Sequence, residues 1–125
     1  MWKSPSYTKY DFEESLKIMN TLGIIAPFYR PPWGLFNIFS SKYIKKYNLK
    51  LVLWDIMAED WRGDTTSNTI ASKLLNRIKD GSIICLHDGR GTNEAPKRTI
   101  EALEKVIPIF LVKGYTFVKA DKLYE

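Results

Sequence analysis

The chain has 125 residues, 45% hydrophobic and 14% aromatic, enough for one buried core and too apolar for a disordered segment. Lys and Arg number 19 against 14 Asp and Glu, and the net charge of +5 is spread along the chain. Its one local cluster, Lys42, Lys45, Lys46 and Lys50, reads as the solvated face of a helix and its exit, so nucleic acid is not the predicted partner.

The N-terminal residues show no charged-then-apolar signal pattern, and no run of about 18 apolar residues predicts a membrane segment. Localisation is unassigned on this sequence. With one cysteine, Cys85, there is no internal disulfide, and its place in an apolar run reads as a core position.

Taken in chain order, Asp11 to Leu22 carries Phe12, Leu16, Met19 and Leu22 at helical spacing and stops at Gly23. Asp11, Glu13 and Glu14 suit the positive end of that helix dipole. A short apolar run, Ile24 to Tyr29, leads into Arg30-Pro31-Pro32-Trp33-Gly34, which can continue neither a helix nor a central strand. Ile38 to Tyr47 reads as a second helix with Asn48 as a left-handed stop. Leu49 to Ile56 is an apolar run without alternation, as in a parallel strand covered on both faces.

Asp64, Thr65 and Thr66 offer caps for a third helix with Ile70, Leu74, Leu75 and Ile78 on one side, ended by Gly81. Ser82 to Leu86 is the next buried strand, closed by His87-Asp88-Gly89. Pro96 starts a last helix bearing Ile100, Leu103, Val106, Ile107 and Phe110, with a kink or break expected at Pro108 and a stop at Gly114. Tyr115 to Val118 is a final short strand. Strands separated by helices predict one α/β domain over residues 1–125, with a parallel sheet or part of a barrel.

The reactive residues fall after the predicted strands. Arg30 follows the first, Asp60 and Trp61 the second, and His87 and Asp88 the third. The C-terminal ends of parallel strands share one face, where ligands and chemistry sit, so Arg30, Asp60 and His87 are expected on a common rim. Each also has a structural reading: Arg30 as the anchor of a turn, Asp60-Trp61 as a cap and a packing indole, His87 as a core histidine. Because Pro31 and Pro32 lack an N–H, the first free backbone donor after Arg30 is Trp33. His87 is the only histidine, the side-chain type that exchanges protons near neutral pH.

Arg30-Pro31-Pro32-Trp33-Gly34 resembles the Arg-x-Pro-aromatic-Gly motif of the polysaccharide deacetylases, the NodB homology domain of carbohydrate esterase family 4. The segment Leu53 to Trp61, ending in Asp60-Trp61, resembles their next motif, and Leu86-His87-Asp88 their Leu-His-Asp motif. Thr99 with Leu103, and then Gly114-Tyr115-Thr116-Phe117-Val118, match the family's tail. Order and spacing agree over essentially the whole chain, aligned to the later half of the family domain.

The resemblance implies a partial (β/α) barrel, about four βα units of a larger distorted barrel. It also implies hydrolysis of N-acetyl or O-acetyl groups on a polysaccharide, peptidoglycan or chitin-like, by metal-activated water. On this reading His87 protonates the leaving amine with Asp60 as its carboxylate partner, and Arg30 orients a base carboxylate absent from this chain. The Trp33 N–H donates to the oxyanion, Leu86 lines the acetyl-methyl pocket, and Trp61 and Pro32 contact substrate.

The family's Thr-Phe-Asp-Asp and His-x-x-x-His motifs, which supply the base and the ligands of a divalent metal, zinc by expectation, do not occur here. Trp2-Lys3-Ser4-Pro5 looks like sequence that follows the histidine pair. The expectation is therefore a chain that lacks the N-terminal metal-binding part, holds no metal and is inactive alone. Its open strand edges predict self-association or docking with the missing half. The alternative is a non-catalytic carbohydrate-binding or regulatory module on the same fold.

Overall fold

Side-chain caps and left-handed residues already present in the sequence set most of the element boundaries. The computed structural model describes residues 4–124, so the expectation placed on Trp2 and Lys3 lies outside the described residues. Among the described residues are four α-helices and four two-residue strands: α1 (Pro5–Thr21), β1 (Phe28–Tyr29), α2 (Ile38–Lys46), β2 (Lys50–Leu51), β3 (Ile56–Met57), α3 (Ser67–Arg77), β4 (Ile84–Cys85) and α4 (Ala95–Val112). The chain is α/β, and its strands pair in parallel, β1 with β2 and β3 with β4. Two compact units divide after Leu53, Met1–Leu53 and Trp54–Glu125.

In the first unit, α1 begins earlier than its apolar spacing predicted. Ser4 caps it, its Oγ accepting the Tyr7 N–H at 3.2 Å, and Pro5 occupies the first turn, where a missing N–H costs nothing. Asp11, Glu13 and Glu14 therefore lie mid-helix, and the dipole argument for them fails. The helix ends with Gly23 at φ 69°, the Gly23 and Ile24 N–H groups bonding the Asn20 and Met19 carbonyls at 3.0 and 2.9 Å.

Asn37 caps α2 by accepting the Phe39 and Ser40 N–H groups, both at 2.9 Å. Asn48 closes that helix at φ 51°, as its sequence position predicted. Between the helices, Phe12 is 6% exposed and lies 4.7 Å from the Tyr29 ring and 5.6 Å from the Tyr43 ring, centroid to centroid. Burial, ahead of the nearby Asp11 charge, pushes the Tyr29 phenol up from its ordinary value.

The predicted strand over 49–56 is two short pieces. Lys50–Leu51 pairs with Phe28–Tyr29, whereas Ile56–Met57 pairs with Ile84–Cys85. Between them Asp55 turns its side chain to the backbone, its Oδ2 accepting the Ile83 N–H at 3.0 Å. A side chain that takes over an acceptor role of the ladder interrupts regular pairing.

The second unit holds the main core. Ile56, Ala58, Ile70, Ala71, Leu74, Ala102, Val106 and Phe110 form one buried cluster, with Leu86 packed against it. Thr66 caps α3, accepting the Thr69 N–H at 3.1 Å. On α4 the buried stripe is Ala95, Thr99, Ala102, Val106 and Phe110, and Ile100 is 57% exposed. Val106 and Phe110 are buried and Leu103 packs against the core, as the sequence reading had them, whereas Ile100 and Ile107 are exposed. Small Ala71 and Ala102 sit with Ile70, Leu74, Val106 and Phe110 in the core where α3 packs on α4.

Pro108 lies inside α4 without ending it. It sits on the exposed side, as does Glu104, whose carbonyl loses its usual partner, while Val106 and Phe110 pin the opposite side. The Gly114 stop is observed at φ 87°, but residues 115–118 form no strand. Cys85 is half-buried on β4 rather than in the core. Leu74 is fully buried, so Leu74→Ala is expected to cost about 2–5 kcal/mol by urea denaturation, and Ile100→Ala under about 1 kcal/mol.

Candidate active site

Strands β3 and β4 run parallel in the register Met57 to Cys85, so the residues after them leave from the same end of the pair. Asp60 comes three residues after β3 and His87 two after β4. Asp60 is 0% exposed, and His87 keeps 41% of its side chain exposed. The two meet twice: the His87 backbone N–H donates to Asp60 Oδ2 at 2.7 Å, and His87 Nδ1 lies 2.9 Å from Asp60 Oδ1. A carboxylate only accepts, so Nδ1 carries the proton in this pair and Nε2 is the nitrogen left for exchange with a ligand. The Trp61 indole meets the imidazole edge-on, with ring centroids 5.1 Å apart.

A third donor completes the carboxylate's surroundings. Thr99, 4% exposed in the first turns of α4, places its Oγ1 3.1 Å from Asp60 Oδ2. Its role is absent from the sequence reading, which registered Thr99 only as part of the tail. The available signal was a hydroxyl in line with Ala102, Val106 and Phe110, a polar residue on what proves to be the buried stripe.

Arg98, the neighbouring residue, ties together the two loops around this pair. Its Nε donates to the Thr65 carbonyl at 2.7 Å, and its Nη2 to the Arg62 and Thr92 carbonyls at 2.7 and 3.0 Å. The loop after β4 includes Arg90, Asn93 and Glu94 at φ 64°, 51° and 55°. Gly91 lies against Trp61, where an added Cβ would come within 2.8 Å of the Trp61 carbonyl oxygen, so a side chain is excluded there.

In the loop after β3, Arg62 grips Asp64 through two hydrogen bonds of 2.9 and 2.8 Å, and this fork holds the Asp64 carboxyl down at about 2. Glu59, at φ 56°, bonds Lys73, which holds its carboxyl below the usual range.

The remaining candidates of the sequence reading are placed as follows. Leu86 is half-buried against the core cluster. Arg30, Pro32 and Trp33 belong to the first unit, where Arg30 is exposed directly after β1. Trp33 is 89% exposed and left-handed, φ 61° and ψ 11°, inside a single tight turn. The neighbouring amides of Gly34 and Leu35 bond the Pro31 and Pro32 carbonyls, while among the described residues the Trp33 N–H has no acceptor. Pro32 and Trp33 line a cleft of about 420 Å³ in this unit, together with Tyr7, Phe12, Tyr29 and Leu35.

Among the described residues, no three His, Cys, Asp or Glu side chains gather into a group that could hold a metal ion. His87 Nδ1 is already engaged by Asp60. The described residues do not make a metal site.

Fold and site together define the chain as an α/β protein with an imidazole held by a buried carboxylate at the end of a parallel strand pair. Comparison with known proteins narrows the class. The chain is 33% identical over 109 residues to the bifunctional xylanase/deacetylase of Pseudobutyrivibrio xylanivorans, a match covering 86% of this chain and 17% of that protein. It is 31% identical over 110 residues to a peptidoglycan-N-acetylglucosamine deacetylase of Bacillus cereus, covering 87% of this chain and 39% of that protein.

Among solved structures, a family 4 acetyl xylan esterase from Clostridium thermocellum, in complex with a cobalt ion, superposes with a TM-score of 0.77 at 29% identity. That match covers 97% of this chain and 56% of the esterase chain. No family model matches the sequence. The chain belongs to the polysaccharide deacetylases of carbohydrate esterase family 4, and it spans well under half the length of these two curated relatives.

Arg98→Lys is expected to weaken the double-loop clamp, because an ammonium cannot reproduce the planar fork that reaches three carbonyls. Hydrogen exchange should then quicken at Thr92 and across residues 88–94, while core amides of α3 keep their protection.

Proposed function

We propose that this chain supplies the leaving-group side of a carbohydrate deacetylase site, acting on N-acetyl or O-acetyl groups of a polysaccharide such as peptidoglycan or a chitin-like chain. The observation that carries the reading is the Asp60–His87 pair at the end of β3 and β4, in a chain with one histidine. It accords with relatives named as deacetylases of peptidoglycan and of xylan-degrading systems.

The scissile bond of an acetamide breaks productively only if the departing amine takes a proton. His87 is given that task, donating from Nε2 while Asp60 holds Nδ1 and balances the ring's positive charge. Attack on the acetyl carbonyl creates an oxyanion that needs donors already in place. The Trp33 N–H, presented by a left-handed turn with no acceptor among the described residues, is assigned to it. Trp61 and Pro32 offer flat apolar surface to a sugar ring. Leu86 is assigned to the acetyl methyl, and Arg30 to orienting the carboxylate that activates water.

The resemblance implies a divalent metal, zinc by expectation, and a neighbour was solved with cobalt. Because the described residues gather no ligand set, the metal is given no ligand here, and the chain is proposed to be inactive alone. The (β/α) barrel of the family is likewise proposed as the frame into which β1–β4 fit. Exposed Ile25, Trp33 and Leu35 in the first unit and Val112 in the second support association with a further segment or a second copy. Sedimentation at micromolar concentration should show species larger than 14.5 kDa; a monomer that binds no apolar dye counts against that part.

A chimaera tests the chemistry, with this chain replacing the aligned segment of the Bacillus cereus deacetylase and acetate release scored on N-acetylglucosamine oligomers. His87→Ala should lower kcat by about 10²–10⁴-fold. Asp60→Asn, which sets an NH2 group against at least one of the three donors, should lower it comparably. Unchanged turnover in His87→Ala sinks the assignment, and an inactive chimaera with a folded, metal-loaded partner segment favours the binding-module reading.

A further inference from the structure

We infer that Thr99 is a positioning residue for the Asp60–His87 pair, fixing through its hydroxyl which face of the carboxylate the imidazole meets. The inference rests on the reading of His87 as proton donor for its consequence in turnover, though not for its geometry.

Asp60 is fully buried and presents two oxygens to three donors. Oδ1 receives His87 Nδ1, while Oδ2 receives both the His87 backbone N–H and the Thr99 hydroxyl, at 2.7 and 3.1 Å. Without the Thr99 donor, both remaining bonds come from one residue, His87. The His87 backbone N–H, fixed in the chain after β4, would then hold Oδ2 alone, leaving the carboxylate more freedom to turn about its Cβ–Cγ bond with the imidazole following Oδ1. Thr99 belongs to another element, α4, and is itself 4% exposed with its backbone inside a helix. It ties the carboxylate to a second element, in addition to the backbone N–H supplied by the chain after β4.

The hydroxyl has one proton and two acceptors in reach, since the Ala95 carbonyl also lies at 3.1 Å. That carbonyl sits four residues back, where the helix ladder already offers it the Thr99 amide. The carboxylate is buried and ionic, and its need for donors is greater, because hydrogen bonds to charged groups are the stronger ones. The proton therefore goes to Asp60. With Oδ2 occupied by two donors, Oδ1 is left to the imidazole, and the neutral ring is held with its proton on Nδ1 and its lone pair on Nε2. Productive chemistry needs that arrangement, since the second proton then loads and leaves at Nε2.

The single histidine makes the test clean, because one pair of imidazole nitrogen resonances reports the whole site. In the full chain with the ring neutral, ¹⁵N spectra should show the Nδ1–H tautomer. Thr99→Val, which keeps the shape and removes the hydroxyl, should lower the ratio of that tautomer to the other about tenfold, the size of one hydrogen bond to a charged group. Thr99→Ser should restore it. A merely structural threonine would lower stability in the valine variant and leave the tautomer ratio alone, and that result overturns the inference.

If Thr99→Val fails to fold, Thr99→Ala beside Thr99→Ser decides: a lowered ratio in the alanine variant with a wild-type ratio in the serine variant supports the hydroxyl's role, and a wild-type ratio in both overturns it. In the chimaera, Thr99→Val should lower kcat about tenfold with KM unchanged, and Thr99→Ser should recover it. Normal turnover in His87→Ala would remove the proton-donor reading and leave the tautomer result standing, so the two failures are distinguishable.

Discussion

A carboxylate with no exposed surface is the constraint around which the second unit is organised. Taking an ion out of water costs several kcal/mol unless its lone pairs are met. Asp60 meets that cost with a backbone N–H, an imidazole and a hydroxyl, drawn from the turn after β4 and from α4. Those partners are neither interchangeable nor local: each arrives only when β3 pairs with β4 and α4 packs beside them. The same requirement that makes Asp60 expensive to bury makes it an accurate holder of His87.

The loops that carry this pair are held by charge and by backbone strain in balance. Glu59, Arg90, Asn93 and Glu94 all adopt left-handed conformations, which cost non-glycine residues about 1 kcal/mol or more each. Arg98 offsets part of that through three carbonyls, and Arg62 with Asp64 stiffens the loop after β3. The Arg62–Asp64 pair is exposed and screened by salt, so its contribution is to loop geometry more than to stability. Because Asp64 is depressed in the folded chain, what it contributes is present above its ordinary range and disappears as pH falls through about 2.

The first unit solves a different problem with similar means. Two prolines remove successive amides, a tight left-handed turn presents the next one, and an aromatic cluster of Phe12, Tyr29 and Tyr43 supports the strand that leads into it. No side-chain cap hydrogen bond holds that turn. The donor at Trp33 is thus defined by which neighbours lack one.

Local chemistry was readable in advance. Asn48, Thr66 and Gly114 act where their side chains or their lack of one dictate, because caps and left-handed stops depend on a few adjacent residues. The order of motifs around Arg30, Asp60 and His87 carried the family, and strand pairing puts Asp60 and His87 in contact. The division of residues 49–56 between two strand pairs, the burial of Ala102 instead of Ile100, and the passage of α4 through Pro108 were not readable.

Each of those depends on what lies opposite in space: which strand offers acceptors, which face of a helix meets its neighbour, which side of a turn water reaches. Thr99 is the sharpest case. Its sequence neighbours say helix; only the packing of α4 against the end of β3 brings its hydroxyl to a buried carboxylate 39 residues earlier in the chain.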